Sequence, residues 1–205
     1  MRTQIQVMLD LQNTMNGKVH PEWREQNFEW YRAIWIECAE LMDHYGWKWW
    51  KKQTPDIEQV MLEVIDIWHF GLSMLLVNNV SAETIERELT SALRIAPPTS
   101  FHKAVEVFAG NTLTTQEFSI ETFAGLLQTT DMSFDSLYIG YIGKNVLNLF
   151  RQDHGYKEGS YQKLWGGQED NEHLVDIVQS IDSKSADFKE VLYKELFHRY
   201  QSLCV

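Results

Sequence analysis

Two pairs of carboxylates restrict what this chain can fold into. Glu37 and Glu40 stand three residues apart in Glu37-Cys38-Ala39-Glu40, and Glu63 and Asp66 do so in Glu63-Val64-Ile65-Asp66. That spacing places both members of a pair on one face of a helix. Wound at the helical period, residues 28–45 align Glu37 and Glu40 with Trp30, Ala33, Ile34 and Leu41. The same winding from residue 56 aligns Glu63 and Asp66 with Val60, Ile67, Phe70 and Met74. The acids therefore lie on the apolar stripes through which helices pack. Carboxylates are seldom buried unless paired or bound to metal. At an effective dielectric near 20, each like-charge pair ~5 Å apart repels by roughly 3 kcal/mol. No Lys or Arg lies on either stripe beside the acids, so something positive must sit between them. Oxygen donors alone suit hard divalent cations, which makes Mg²⁺ or Mn²⁺ the leading candidate. The competing reading leaves the four acids solvated on helices whose core faces lie elsewhere. Two pairs, both in register with apolar residues, argue against it.

The remaining pattern is helical. Four prolines, clustered loops and long helical periodicity predict an all-α bundle, read as one domain over 1–205 with 97–132 as an accessory helical region. A length of 205 residues suffices for one substantial core, and 44% hydrophobic with 13% aromatic residues argue against disorder. A formal charge of −11 disfavours a nucleic-acid-binding surface. Cys38 and Cys204 are too few for a disulfide framework, which points to a reducing compartment. No basic-then-apolar leader opens the sequence, and the apolar run Ile67–Val77, interrupted by His69, falls short of a membrane span. The expectation is a cytoplasmic protein with no membrane partner.

Taken in order, the first helix covers about Arg2 to Met15, and its stripe Ile5, Met8, Leu9 continues into Gln12 and Asn16. Two readings stand for these amides: recognition of a base edge, or a helix end turning polar as it meets solvent. A second helix is expected over Glu22–Tyr45, stopped by Gly46. Trp47-Lys48-Trp49-Trp50-Lys51-Lys52 follows, read either as a surface for stacking a base and meeting phosphates, or as a packed connection with outward lysines. Thr54 and Pro55 are expected to open the third helix, which extends to about Asn78. Ser81 caps a helix to Arg94, ended by Ala96-Pro97-Pro98, and shorter helices are expected near 101–109 and 119–128. From Ser133 to Asp153 a strong helix carries Lys144, Asn148 and Arg151 on one stripe. The glycine-punctuated stretch 154–171, with Lys157 and Lys163, reads as a flexible flap able to wrap a phosphorylated ligand. Helices over 171–181 and 186–202, the last capped by Ser185, finish the chain.

The acid pairs, the Trp47–Lys52 block, the run Lys144–Tyr161 and the tail Trp165, Gly167, Glu169, Asp170, Asn171 together resemble the dimeric all-α dUTP diphosphatases, a branch of the all-α nucleoside-triphosphate pyrophosphatases. The resemblance runs in consistent order from Gln12 to Asn171. It implies a homodimer that hydrolyses dUTP, and by extension dUDP, with Mg²⁺ held by Glu37, Glu40, Glu63 and Asp66. It implies phosphate contacts from Lys144, Asn148, Arg151, Lys157 and Lys163. It also implies that Gln12 and Asn16 read uracil, with Trp47 and Trp50 near the base. Glu37 is favoured as the base that takes a proton from water, with Glu40 the fallback. Two rivals stand: a sister pyrophosphatase acting on another nucleotide such as dCTP, and a di-iron carboxylate bundle suggested by Asp66-Ile67-Trp68-His69. The di-iron reading is the weaker, because neither Glu37 nor Glu40 has a His three residues on. His69 is expected to line a pocket or to be hydrogen-bonded in the core.

Overall fold

The computed structural model describes residues 1–97, 99–130, 132–183, 185 and 187–204. Among these, regular structure consists of α-helices, one 3-10 turn and one short hairpin, as the all-α expectation requires. The chain forms two compact units, Met1–Tyr138 and Ile139–Val205.

The first unit contains α1 (Arg2–Val19), a 3-10 turn (Trp23–Glu25), α2 (Trp30–Tyr45), α3 (Ile57–Val77), α4 (Ala82–Ala92), α5 (Phe101–Thr115) and α6 (Ile120–Thr129). Its centre is α3, which is apolar on nearly every side and packs against α1 and α2. By length and composition α3 could cross a membrane, yet 72% of its apolar window is buried inside the fold. It is a core helix, and longer in its apolar character than the Ile67–Val77 run suggested. Trp68 is fully buried, stacked on Phe123 at 5.1 Å and met obliquely by Phe118 at 5.9 Å. Phe118 lies so close over α3 that a Cβ on Gly71 would stand 2.4 Å from its ring, which explains a glycine in mid-helix.

Several boundaries differ from the sequence expectation. α1 continues four residues past Met15, because Met15 and Asn16 remain buried and keep the helix packed. α2 begins at Trp30 and not at Glu22: Asn27 takes a left-handed conformation (φ 53°) that breaks helical continuity. The preceding turn buries Trp23, and Arg24 lies 5.0 Å over its ring while donating to the Leu76 carbonyl at 2.6 Å. Asp56, not Thr54, caps α3 by accepting from the Gln59 N–H at 3.2 Å. Ser81 caps α4 as expected, and Ser100 and Ser119 cap α5 and α6 in the same way. Pro98, in the expected stop after α4, and Ala186, at the expected start of the last helix, lie outside the described residues.

The helix α7 (Phe134–Asp153) leads into the second unit, which holds β1 (Leu164–Trp165), β2 (Gln168–Glu169), α8 (Asp170–Ser180) and α9 (Phe188–Cys204). α9 starts three residues past Ser185, whose hydroxyl donates to the Asp187 carboxylate. β1 and β2 pair antiparallel across Gly166-Gly167, both with positive φ (57° and 93°). Two consecutive residues with positive φ are what a tight two-residue hairpin turn demands. Trp165 is fully buried, its ring stacked on His173 at 5.1 Å and its N–H donated to the Gln162 carbonyl at 2.8 Å. The expected flexible flap is therefore anchored at its C-terminal half.

Candidate metal centre

The packing of α2 against α3 brings the predicted carboxylates together. Oxygens from Glu37, Glu63 and Asp66 lie within 4.8 Å of one another, and ligand atoms of Glu40, His44 and Glu63 form a second such group. Glu63 belongs to both and is buried, whereas Glu37 and Asp66 are half-buried and Glu40 is exposed. The gradient follows from helix geometry. On α2 the fully buried stripe is Ile34, Cys38 and Leu41, so Glu37 stands at its edge and Glu40 one turn further along. The solvated reading fails for Glu63 and in part for Glu37 and Asp66, whereas Glu40 is exposed and lies off the buried stripe on which it was expected.

The electrostatics show the strain of the arrangement. The Glu37 carboxyl is pushed up to about 9, first by burial, then by its hydrogen bond with Glu63, then by the negative charges of Asp66, Glu63 and Glu40. A proton is held where the cluster calls for positive charge. A set of closely spaced carboxylate oxygens fits a hard divalent cation, which relieves the same repulsion without the proton.

His44 was absent from the sequence candidates. It lies four residues after Glu40 and seven after Glu37, so its helical position was readable. Its Nε2 is 3.6 Å from Glu63 Oε1.

Gln12 and Asn16 are both buried, which removes the reading of a helix end turning to solvent. Gln12 Nε2 donates to Asn16 Oδ1 at 3.0 Å and to Ser73 Oγ at 3.1 Å. Asn16 Nδ2 donates to Ser73 Oγ at 2.9 Å, and Ser73 donates to the His69 carbonyl at 3.1 Å. His69 Nδ1 stands 2.8 Å from Gln12 Oε1 and, facing that acceptor, carries the proton. His69 and Ser73 lie three and seven residues past Asp66, so the helix that carries two of the acids also holds the amide pair. Ser73 was missed in the sequence, since a lone Ser inside an apolar helix carries no local signal. His69 belongs to neither carboxylate group, and its contact with Gln12 is that of a hydrogen-bonded core residue.

The Trp47–Lys52 segment is not a packed connection. Trp49 is 91% exposed, and Trp47 and Trp50 are about half exposed. Trp50 meets Trp47 edge-on at 5.3 Å and Trp49 at 5.4 Å, and Lys48 lies 5.6 Å over Trp47. The base of this loop is tied down. His102 Nε2 donates to the Gly46 carbonyl at 2.8 Å, and the Lys48 N–H donates to Gln53 Oε1 at 2.7 Å. Asp56 N–H also donates to the His44 carbonyl at 2.9 Å.

In the second unit, Lys144 and Arg151 are buried, Asn148 is half-buried, and Lys157 and Lys163 are exposed. Arg151 makes a bidentate pair with the fully buried Asp170, Nε to Oδ2 at 2.8 Å and Nη2 to Oδ1 at 2.7 Å. Its Nη1 donates to Asn148 Oδ1 at 3.1 Å, and Lys144 Nζ donates to Asn171 Oδ1 at 3.1 Å. Tyr161 OH adds a third bond to Asp170, at 2.8 Å. Burial alone would raise the Asp170 carboxyl, but the hydrogen bonds and charge of Arg151, with Tyr161, hold it below the usual carboxylate range. Arg151, expected as a phosphate ligand, is thus already engaged in fastening α7 to the start of α8.

Among known proteins, a family model described as dUTPase matches residues 4–156. The matched stretch includes Gln12, Asn16, all four acids, His44, the Trp47–Lys52 loop, Lys144, Asn148 and Arg151, and ends before Lys157. No curated protein matches the chain.

Proposed function

The chain belongs to the dUTPase family, and from that premise we propose that it hydrolyses dUTP to dUMP and pyrophosphate with Mg²⁺ held by Glu37, Glu40, Glu63 and Asp66. The observation that carries this reading is the convergence of acid oxygens within 4.8 Å at a site where burial, and then the neighbouring acids, hold a proton on Glu37. Bound divalent ions would supply charge neutralisation on the phosphates and a more acidic attacking water. Glu37 is the proposed base, with Glu40 the fallback. With a divalent ion in place of the proton it holds in the metal-free cluster, Glu37 would be an ionised carboxylate able to accept the water's proton. By resemblance, Lys144, Asn148, Arg151, Lys157 and Lys163 would meet the phosphates, and dUDP would be a second substrate. A cytoplasmic setting fits this reading.

Selection of the base falls to the first helix. Uracil presents an acceptor–donor–acceptor edge, which an amide matches with its N–H and its carbonyl. Gln12 donates both amide protons inside the network with Asn16 and Ser73, so it holds Asn16 in one orientation. Asn16 donates one amide proton to Ser73, and the other is the group proposed to meet a uracil carbonyl. The exposed rings of Trp47 and Trp50 offer stacking faces of the kind bases use.

A panel of dNTPs and NTPs assayed for pyrophosphate release tests the assignment. The expected result is strong preference for dUTP over dCTP and dTTP. Gln12→Ala and Asn16→Ala should each lower kcat/KM for dUTP by about 10- to 100-fold, since unpaired buried polar groups cost ~1–3 kcal/mol. Both should narrow the advantage over dCTP while the Mg²⁺ requirement stays. Equal turnover of dCTP and dUTP by the wild type would reduce the assignment to a general all-α nucleotide pyrophosphatase.

A homodimer is part of the proposal. Trp35 and Ile36 leave large apolar surface on α2, as do Val107 and Leu113 on α5. Sedimentation should give about twice the 24.1 kDa chain mass, and a clean monomer at micromolar concentration would contradict it.

A further inference from the structure

We infer that Glu40, His44 and Glu63 form a mixed nitrogen–oxygen cation position that prefers a borderline transition ion such as Co²⁺ to Mg²⁺, beside the oxygen-only position of Glu37, Glu63 and Asp66. The inference rests on the proposed metal-dependent hydrolysis, because both positions share Glu63.

The geometry gives three reasons. The ligand atoms of Glu40, His44 and Glu63 all lie within 4.8 Å of one another, as the oxygens of the other group do. His44 Nε2 and Glu63 Oε1 are 3.6 Å apart, too far for a hydrogen bond. Two donors bound to one ion at about 2.1 Å stand roughly 3.0–3.4 Å apart across octahedral or tetrahedral angles, so closure of the His44–Glu63 pair onto an ion takes a few tenths of an ångström, and the exposed Glu40 side chain has room to follow. The backbone that carries the histidine is also held, because its carbonyl accepts the Asp56 N–H at 2.9 Å, joining the last turn of α2 to the residue that caps α3. Donor chemistry then separates the two positions. Carboxylates alone favour Mg²⁺ and Mn²⁺, whereas an imidazole nitrogen adds affinity for later ions of the first transition row. Site selectivity follows from one side chain.

The test titrates metal-free protein with Co²⁺, read by its visible absorption, and with Mg²⁺, read by thermal shift and by competition against Co²⁺. Wild type should bind Co²⁺ at least about tenfold more tightly than Mg²⁺. His44→Gln should weaken Co²⁺ by about 10- to 100-fold and change its absorption, while the Mg²⁺ response stays within about twofold. His44→Asn, with helical content checked by circular dichroism, guards against a folding defect in one variant. Unchanged Co²⁺ affinity in both variants overturns the inference, and so does an equal loss of Co²⁺ and Mg²⁺. If wild type binds neither ion, the metal-dependent reading itself fails and this inference with it. Failure of the histidine alone leaves that reading in place.

Discussion

Glu63→Gln is expected to reduce dUTP hydrolysis on the order of a thousandfold and, without metal, to raise the thermal midpoint of the protein. Both effects come from one position. Glu63 is the buried acid common to both ligand groups, and it is the hydrogen-bond partner of Glu37. Replacing it with an amide removes a ligand charge needed when a cation is present and a repulsive charge when none is. The pH dependence separates the two. Burial and the neighbouring acids raise the Glu37 carboxyl from an ordinary 4.5 to about 9 in the folded protein. Between those values the folded state binds the proton that the unfolded chain has lost, so stability falls as pH rises. Below about 4.5 and above about 9 the dependence flattens. Thermal midpoints of metal-free wild type should therefore decline from pH 5 to 9. Saturating Mg²⁺ should remove most of the slope, and Glu63→Gln should reduce it even without Mg²⁺. Glu37→Gln, Glu40→Gln and Asp66→Asn should lose activity in the same direction. Full activity in any two of the four variants would dismantle the site.

The legibility of this site in the sequence had a local cause. Helical periodicity alone decides whether residues 37, 40, 63 and 66 share a face with apolar neighbours, and it needs no knowledge of tertiary packing. His44 was readable by the same rule, seven residues past Glu37 and four past Glu40. Ser73 could not be read that way. Its bonds to Gln12 and Asn16 join residues 61 and 57 positions apart, and only the packing of α1 on α3 creates them. Arg151 has a structural role that the sequence did not show, for a related reason. A cation beside a glycine-rich stretch suits a phosphate, and nothing local pairs it with Asp170, which stands in a polar run 19 residues on. Gly166-Gly167 is a pair of the kind a two-residue hairpin uses, and it fixes part of the stretch that was expected to be a flexible flap. Helix starts depended on single residues, Asn27 and Asp56, whose backbone conformation and side-chain bond outweighed the apolar pattern around them.

The buried pair in the second unit carries the largest stability effect. Asp170→Asn should destabilise the Ile139–Val205 unit by about 3–5 kcal/mol, because it leaves the Arg151 guanidinium buried without its counter-charge. The carboxylate accepts two hydrogen bonds from Arg151 and one from Tyr161, and an amide nitrogen in place of one oxygen would face a donor. Denaturant unfolding, with hydrogen exchange followed over residues 154–180, measures the loss and shows where it falls. Acid should act in the same direction as the substitution. The folded-state carboxyl is held below its ordinary 3.8, so its stabilisation is present above that value and disappears as pH falls through the lower one. Arg151→Met combined with Asp170→Leu removes both charges and should recover most of the lost stability, since the penalty belongs to the unpaired ion. A cost below about 1 kcal/mol for Asp170→Asn would place the pair among weak surface bridges. The double variant also separates two roles for Arg151. If the guanidinium only fastens α7 to α8, restored stability brings restored kcat/KM for dUTP. If it also meets a phosphate, as the family resemblance implies, the recovered fold should still hydrolyse dUTP poorly, with an elevated KM.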